Sequence, residues 1–408
     1  MGETLFIAHR IPFPPDRGDK IRSHHLLRAL AELGPVHVAT LGETPADFAV
    51  EPLLAQIAAS HCLVKRPRNL SLAGVRALAS NRPVSLVAFG SPRLHAWIAN
   101  LLASRPIDTI FVFSGQMGQY VPKTFTGRLV IDLCDVDSAK FEAYARDGKG
   151  MRRWIDAREA RLLAAEEARL AQRADTVLLV SESEASLFRN RIGKQSVDVR
   201  PLGNGIDTEL FDPARVPPQH ELLEKTGPDI VFTGQMDYPP NVAAARRTAE
   251  ILMPAIRAVH REATFHIVGR APSPEVRALD GLNGTRVWGE VPDVRPFLAG
   301  ADLVVAPLAI ARGVQNKVLE AMAMACPVVL TPEAATGIGA SPGKHYAVAG
   351  SDTELIEAAL RLLGNGGAGS AMGAAARRFV VVHKNWSSAL AALPDIVCKP
   401  ARAARHAA

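Results

Sequence analysis

Lys317 and Glu320 stand three residues apart in the stretch GVQNKVLEAMAMACPVV, Gly313–Val329. On a helix that spacing puts both side chains on one face. A helix opening near Asn316 would offer unsatisfied N–H groups to a diphosphate, and Lys317 would add a cation. Glu320, with two acceptor oxygens, has the chemistry to hold the paired hydroxyls of a ribose. The competing reading is a solvated Lys–Glu pair worth tenths of a kcal/mol. The apolar neighbours Val318, Leu319, Ala321 and Met322 argue against full exposure.

Three further stretches end a β-like run on a glycine: VFTGQMDYPPN with Gly234, FHIVGRAP with Gly269 followed by Arg270, and VWGEVPD with Gly289. Ordinary βα turns would account for any one of them. Together they suit a pocket of nucleotide size at successive strand ends. Near the N-terminus, HRIPFPPDRGDKIRSHHLL carries Gly18 at the expected start of a helix with Arg17, Lys20 and Arg22 around it. This cluster is read as an anion or acceptor site, against a proline-rich turn followed by a solvated basic helix face. In LCDVDS, Asp135 and Asp137 follow a strand end. They would bind a sugar hydroxyl or a metal, or Asp137 or Ser138 would only cap the next helix.

The elements that must position these residues alternate along the chain. Strands are expected at Leu5–Ala8, Val36–Leu41, Thr109–Phe113, Leu129–Leu133 and Thr176–Ser181. A second series is expected at Ile230–Thr233, Thr264–Val268, Val287–Trp288, Leu303–Ala306, Val328–Leu330 and His345–Val348. Helical patterns lie between them, notably Lys20–Leu33, Pro92–Ala103, Met151–Arg173, Val242–His260, Asn316–Ala325 and Thr353–Leu363. This alternation predicts an α/β protein of two Rossmann-like, doubly wound parallel-sheet domains facing a cleft. The expected boundaries are 1–210 and 211–383, with a proline-rich, polar stretch near 210–227 between the two series. A C-terminal helix over 384–398 returns to the first domain, and a disordered tail covers 399–408.

The 408 residues are 48% hydrophobic and 22% charged, in keeping with sizeable cores. No apolar run approaches the roughly 18 residues of a membrane span. The N-terminus lacks the regions of a signal peptide and reads as the first strand. Four dispersed cysteines predict reduced thiols in a cytoplasmic protein. The net charge of +6 is compatible with nucleic acid, anionic lipid or phosphorylated substrates and does not choose among them. No phosphate-loop lysine motif, HExxH, GxSxG or zinc-spaced Cys/His set occurs. GNGGAG, Gly364–Gly369, matches a dinucleotide fingerprint but follows a helix, so it is read as a flexible connector.

Taken together, GVQNKVLEAMAMACPVV, FTGQMDYPPN, FHIVGRAP, VWGEVPDV and PLGNGIDTELF resemble the retaining family-4 glycosyltransferases of the GT-B fold. PFPPDRGDKIRS and DLCDVDSAKFEAYA are most similar to the branch associated with exosortase/PEP-CTERM export. The resemblance spans at least residues 4–395. It implies that Glu320 holds the donor ribose and that the amides of Asn316 and Lys317 face the diphosphate. Gly18 would close over the phosphates, Gly234 would flank them, and Gly289 and Val291 would lie beside the base. Asn204, Gly205 and Asp207 match an interdomain signature, and Asp135 lies near the residue at the acceptor face, usually a histidine. Two positions depart from the family pattern. Arg312 stands where an acid commonly contacts the transferred sugar, and Gln235 and Asp237 replace an expected Arg and Lys. Arg312, Arg270 or Lys317 then stand as replacement cations.

The resemblance thus implies transfer of a sugar from a nucleotide diphosphate sugar, with retention, to a lipid-linked or polysaccharide acceptor in exopolysaccharide or cell-surface glycan synthesis. Asp135 and Arg312 are the expected catalytic positions, and Arg17, Lys20 and Arg22 the acceptor-binding ones. No cofactor or metal is required if amides and cations carry the phosphates, and no nucleic-acid partner is expected. Peripheral attachment at the inner face of the cytoplasmic membrane is a further expectation, with Lys20, Arg22, Arg28, Lys149, Arg152 and Arg153 supplying charge. A non-hydrolysing sugar-nucleotide epimerase and a non-catalytic nucleotide-sugar-binding subunit are the alternatives.

Overall fold

The computed structural model describes residues 2–66, 70–193, 197–224, 226–311, 313–364 and 367–398. Among them, the β-branched runs form two wholly parallel sheets. The first holds β1 (Glu3–Ala8), β2 (Val36–Gly42), β3 (Ser60–Lys65), β4 (Ile107–Phe113), β5 (Arg128–Cys134), β6 (Thr176–Leu179) and β7 (Asp198–Pro201), in the order β3-β2-β1-β4-β5-β6-β7. The second holds β8 (Asp229–Thr233), β9 (Thr264–Val268), β10 (Thr285–Gly289), β11 (Leu303–Ala306), β12 (Val328–Leu330) and β13 (Ala347–Val348), in the order β10-β9-β8-β11-β12-β13. β2 and β8 are buried along their whole length, as expected when helices cover both faces of a parallel sheet. In each sheet the winding reverses once, between β1 and β4 and between β8 and β11. Ligands collect beyond the carboxyl ends of the strands at such points.

The edge strands β3 and β7 were not anticipated. SHCLVK holds a three-residue apolar run, Cys62–Val64, with polar residues at both ends, and DVRP a lone valine, because an edge strand is partly solvated. The helix expected over Val242–His260 is three pieces: Pro239–Arg247, a π-turn Thr248–Leu252, and Met253–Val259. Pro254 has no N–H to donate, and Asn283 Nδ2 takes the freed Ala249 carbonyl at 3.0 Å.

The chain forms two compact units. One runs to Asn204 and is joined by the chain from Leu390 onward; the other is Gly205–Ala389. The division precedes the expected boundary at 210 because the proline-rich stretch is no linker. Val216 and Leu222 are buried in the second core, and Ile206 N donates to Lys384 O at 2.7 Å. In the first unit, Leu393 and Ile396 of the returning segment are buried. The expected tail 399–408 lies outside the described residues.

Part of GNGGAG also lies outside them, at 365–366. Gly364 closes the helix Asp352–Gly364, and Gly369 falls within the helix Ala368–His383. The next glycine of that helix, Gly373, is a packing residue: a methyl there would stand 1.9 Å from Ala325 O. This close approach seats Ala368–His383 behind the helix Asn316–Ala323. Arg377 then donates to Ala323 O at 2.5 Å, a cation at that helix's carboxyl end.

Candidate functional site

The loops leaving β8, β9 and β10 are tied edge to edge. Gly234 N donates to Val268 O at 3.1 Å, and Gly269 N donates to Gly289 O at 2.8 Å. Glycine is required where the strands crowd. A methyl on Gly269 would fall 1.6 Å from Gly234 O, and one on Gly234 would stand 2.9 Å from Asn241 Nδ2 and 3.0 Å from Lys317 Nζ. Gly289 adopts φ +72°, the left-handed region, at the sheet edge. Trp288 beside it donates Nε1–H to His266 Nδ1 at 3.0 Å, and His266 Nε2 meets Asp229 Oδ1 at 2.9 Å. That chain fixes the end of β10 through two buried polar groups. Val291 is half-buried against the second core.

The helix Asn316–Ala323 begins after β11 with no side-chain cap, and the N–H groups of Asn316 and Lys317 meet no acceptor among the described residues. Lys317 is half-buried. Its Nζ donates to Asn241 Oδ1 at 2.6 Å and sits 4.6 Å from the centre of the Phe232 ring. Asn241 is itself fixed, its Nδ2 donating to Gln235 O at 2.9 Å. Loss of solvent lowers the Lys317 pKa to about 8, and Glu320 opposes that shift. Burial pushes Glu320 up to about 7, with Lys317 pulling the other way. The Glu320 carboxyl accepts no hydrogen bond from any described residue. An ammonium with donors to spare, two unsatisfied amides and an unpartnered carboxylate therefore lie on one helical turn. A solvated ion pair is excluded: the two charges are half-buried and make no direct bond. Arg270 is exposed, its Nη2 donating to Gln235 Oε1 at 3.0 Å, so Gln235 orients a cation where the family pattern has one of its own.

In the first unit Gly18 and Arg17 are exposed at the start of the helix Gly18–Leu33, and a methyl on Gly18 would touch nothing within 4 Å. The rest of the expected basic cluster turns inward, which corrects its reading as an anion or acceptor site. Lys20 is buried, its Nζ donating to Asp47 Oδ1 at 2.8 Å and to Phe13 O at 3.1 Å. Arg22 is buried against Asp132, Nε to Oδ2 at 2.9 Å, with Nη1 donating to Asn204 Oδ1 at 2.8 Å. Each cation was drawn inside by an acid distant in sequence, and its charge is spent there. Arg17 Nε donates to Asp19 Oδ1 at 2.8 Å, and Asp19 also receives Arg10 Nη1 at 2.6 Å. The carboxylate meets the ring of His9 as well, at 3.1 Å from Nε2. His9, at the end of β1, is stacked on Phe113 and was not singled out from the sequence.

Asp135 is exposed just beyond β5. Crowding at this strand end raises its pKa, as do the carboxylates of Glu184 and Asp137. Neither Asp137 nor Ser138 caps the helix Asp137–Asp147. Glu184 accepts from Val136 N, and Glu167 accepts from both Ser138 N and Ser138 Oγ. Burial pushes Glu167 up to about 7. Among the described residues, no group of three or more His, Cys, Asp or Glu is arranged to hold a metal ion. Arg312 lies outside the described residues.

Residues 18–205 match the family model described as glycosyl transferase 4-like domain, and residues 227–365 match that of glycosyl transferases group 1. No curated protein matches by sequence. Among solved structures, WaaG, a glycosyltransferase involved in lipopolysaccharide biosynthesis, superposes with a TM-score of 0.63 at 17% identity, covering 97% of this chain and 100% of that one. HepE of Anabaena, in complex with UDP and glucose, gives 0.64 at 14% identity, covering 97% and 99%. Sucrose-phosphate synthase from Thermosynechococcus elongatus gives 0.63 at 15% identity, covering 97% and 98%. These likenesses carry the fold, GT-B, and the two family models together take in most of the sequence. The chain belongs to the group 1, family-4-like glycosyltransferases, a retaining transferase that uses a nucleotide sugar.

Proposed function

We propose that this enzyme takes a hexose from a UDP-sugar and passes it, with retention, to a lipid-linked or polysaccharide acceptor at the cytoplasmic face of the membrane. The product would enter an exopolysaccharide or other cell-surface glycan, in the exosortase/PEP-CTERM branch that the N-terminal motifs resemble. The observation that carries the donor half is the unpartnered, half-buried Glu320 carboxyl one turn beyond two unsatisfied amides and Lys317. Glu320 accepts the ribose hydroxyls, while the amides of Asn316 and Lys317 and the Lys317 ammonium take the charge that develops on the leaving diphosphate. Gly234 and Gly269 let the strand ends close up beside Asn241 and Lys317, Gly234 flanks the phosphates, Arg270 adds an exposed cation, and Gly289 with Val291 flanks the base. Gly18 and Arg17 form an exposed loop start on the first unit, where the family resemblance gives Gly18 a phosphate-closing role. Asp135, with its raised pKa, accepts a hydrogen bond from a sugar hydroxyl of acceptor or donor. Arg312 replaces the usual sugar-binding acid, a role that rests on sequence alone.

The UDP assignment draws on HepE, solved with UDP and glucose, and the surface-glycan assignment on WaaG. A thermal-shift panel of nucleotide diphosphate sugars tests the donor reading. UDP-sugars stabilise the wild type, and Glu320→Ala and Lys317→Ala reduce that stabilisation. Failure of every nucleotide sugar to stabilise the wild type sinks it. Release of an epimerised nucleotide sugar without acceptor would instead make the protein an epimerase.

A further inference from the structure

One surface of the first unit plays no part in the donor chemistry. The helices Asp137–Asp147 and Gly150–Arg173 are joined by Gly148-Lys149, and the chain is exposed from Lys149 to Ile155. Met151 is 79% exposed, Trp154 58%, Tyr144 46% and Ile155 44%. All five residues from Met151 to Ile155 are exposed, a whole helical turn with no face packed on the unit. Basic residues interleave with the apolar ones: Arg146, Lys149, Arg152 and Arg153 are all exposed. Between Tyr144 and Ile155 the sequence has these four cations and one acid, Asp147. Arg152 approaches Asp156 only to 3.8 Å, so its charge stays available to a partner. Arg158 Nη2 donates to Ala77 O at 2.8 Å, which brings the exposed Val75 and Leu78 of a neighbouring helix alongside.

An exposed helical turn with a tryptophan directly after two arginines offers a partner an apolar and cationic surface. It offers an apolar end at the depth of lipid headgroups and a collar of positive charge. The charge commits the surface to an anionic partner, and the apolar turn to one that can be penetrated. We propose that residues 144–155 seat the first unit on an anionic bilayer. Trp154, Met151 and Ile155 enter the headgroup layer, and Arg146, Lys149, Arg152 and Arg153 sit over anionic lipids. The sequence expectation had counted Lys20 and Arg22 toward membrane charge; both are buried in ion pairs, Arg28 is exposed on the helix Gly18–Leu33, and Lys149, Arg152 and Arg153 are exposed at this turn. The proposal rests on the first unit alone, so it stands or falls separately from the donor reading.

The test is cosedimentation of the full chain with phosphatidylglycerol–phosphatidylcholine vesicles, alongside pure phosphatidylcholine vesicles and a high-salt arm. The wild type partitions to the anionic vesicles and is released by salt. Each cation near an anionic surface is worth about fivefold in partitioning, so Arg152→Glu/Arg153→Glu lowers binding at least about a hundredfold. Met151→Ser/Trp154→Ser lowers it roughly tenfold through lost apolar burial. Both variants keep the wild-type melting temperature and donor-induced shift. In the wild type, anionic vesicles blue-shift tryptophan emission, and Trp154→Phe abolishes that shift. The proposal is overturned if the wild type ignores anionic vesicles, if neutral vesicles bind it equally, or if the variants bind as it does. It is also overturned if the variants lose only a concentration-dependent self-association, which would make a second copy of the chain the partner.

Discussion

Replacing Glu320 by Gln separates what the carboxylate costs the apo fold from what it does for the donor. Its pKa is raised from 4.5 to about 7, with burial as the first cause. The folded state therefore holds the proton longer than the unfolded state. The stability this confers is complete below pH 4.5 and is lost as pH rises through about 7. At about 1.4 kcal/mol per pH unit, ionised Glu320 costs the apo protein on the order of 3 kcal/mol at pH 8. Gln cannot ionise, so the cost disappears, but Lys317 then loses the countercharge of Glu320 and gives back part of the gain. A net gain of about 1–2 kcal/mol remains, a rise in Tm of roughly 3–6 °C for a unit of this size. Below pH 4.5 the two proteins converge. Donor binding moves the opposite way: Gln keeps one acceptor oxygen and loses a charge-assisted bond worth about 1.5–3 kcal/mol, a roughly 10- to 100-fold weaker affinity. Scanning calorimetry at pH 4.5 and pH 8, with and without a nucleotide sugar, reads both effects. A Glu320→Gln protein no more stable than wild type at pH 8 refutes the electrostatic argument. An undiminished donor shift refutes the ribose role.

Donor affinity should peak in a narrow window, since Glu320 must be ionised, above about 7, while Lys317 must be protonated, below about 8. Isothermal titration across pH 5.5–9.5 should show both limbs, with Lys317→Met removing the alkaline one. Gly269→Ala drives a methyl into Gly234 O at 1.6 Å, so stability should fall by about 3 kcal/mol or more in urea unfolding; a well-folded variant would show that the strand-end loops are not locked together. Arg22→Met leaves Asp132 buried without its partner and should cost about 3–5 kcal/mol. Its donor affinity per folded molecule should be unchanged, and a selective kinetic defect at normal stability would return Arg22 to the site.

The parallel α/β architecture was readable because buried strands carry short apolar, β-branched stretches, such as Ile110–Phe113 in β4 and Ile230–Phe232 in β8, between helical patterns. β3 and β7 escaped notice because edge strands keep polar residues. The candidate donor helix stood out for the opposite reason: Lys317 and Glu320 are out of character among Val318, Leu319, Ala321 and Met322, which is a signal the residues themselves carry. Asn241, which holds Lys317, gave only its place at a helix start as a signal. Its partner is distant in sequence and only the fold brings them together. The same blindness misassigned Lys20 and Arg22. A basic residue near a helix start looks the same whether it faces solvent or a buried acid, and Asp47 and Asp132 become neighbours only in three dimensions. The exposed turn at Met151–Ile155 was visible as basic residues, while the exposure of Trp154 among them was not.

The return of the chain at Leu390 sets an order of events during synthesis. The buried Arg128 on β5 donates its Nε to Ile396 O, and the helix Leu393–Val397 packs against Gly18–Leu33. None of these partners exists until the whole of Gly205–Ala389 has left the ribosome, roughly 10–40 s later at about 5–20 residues per second. The second unit can close on residues already made, while the first must wait with the seat for Leu393 and Ile396 open. A message or chain cut short before Leu393 would therefore yield a finished second unit and an unfinished first one.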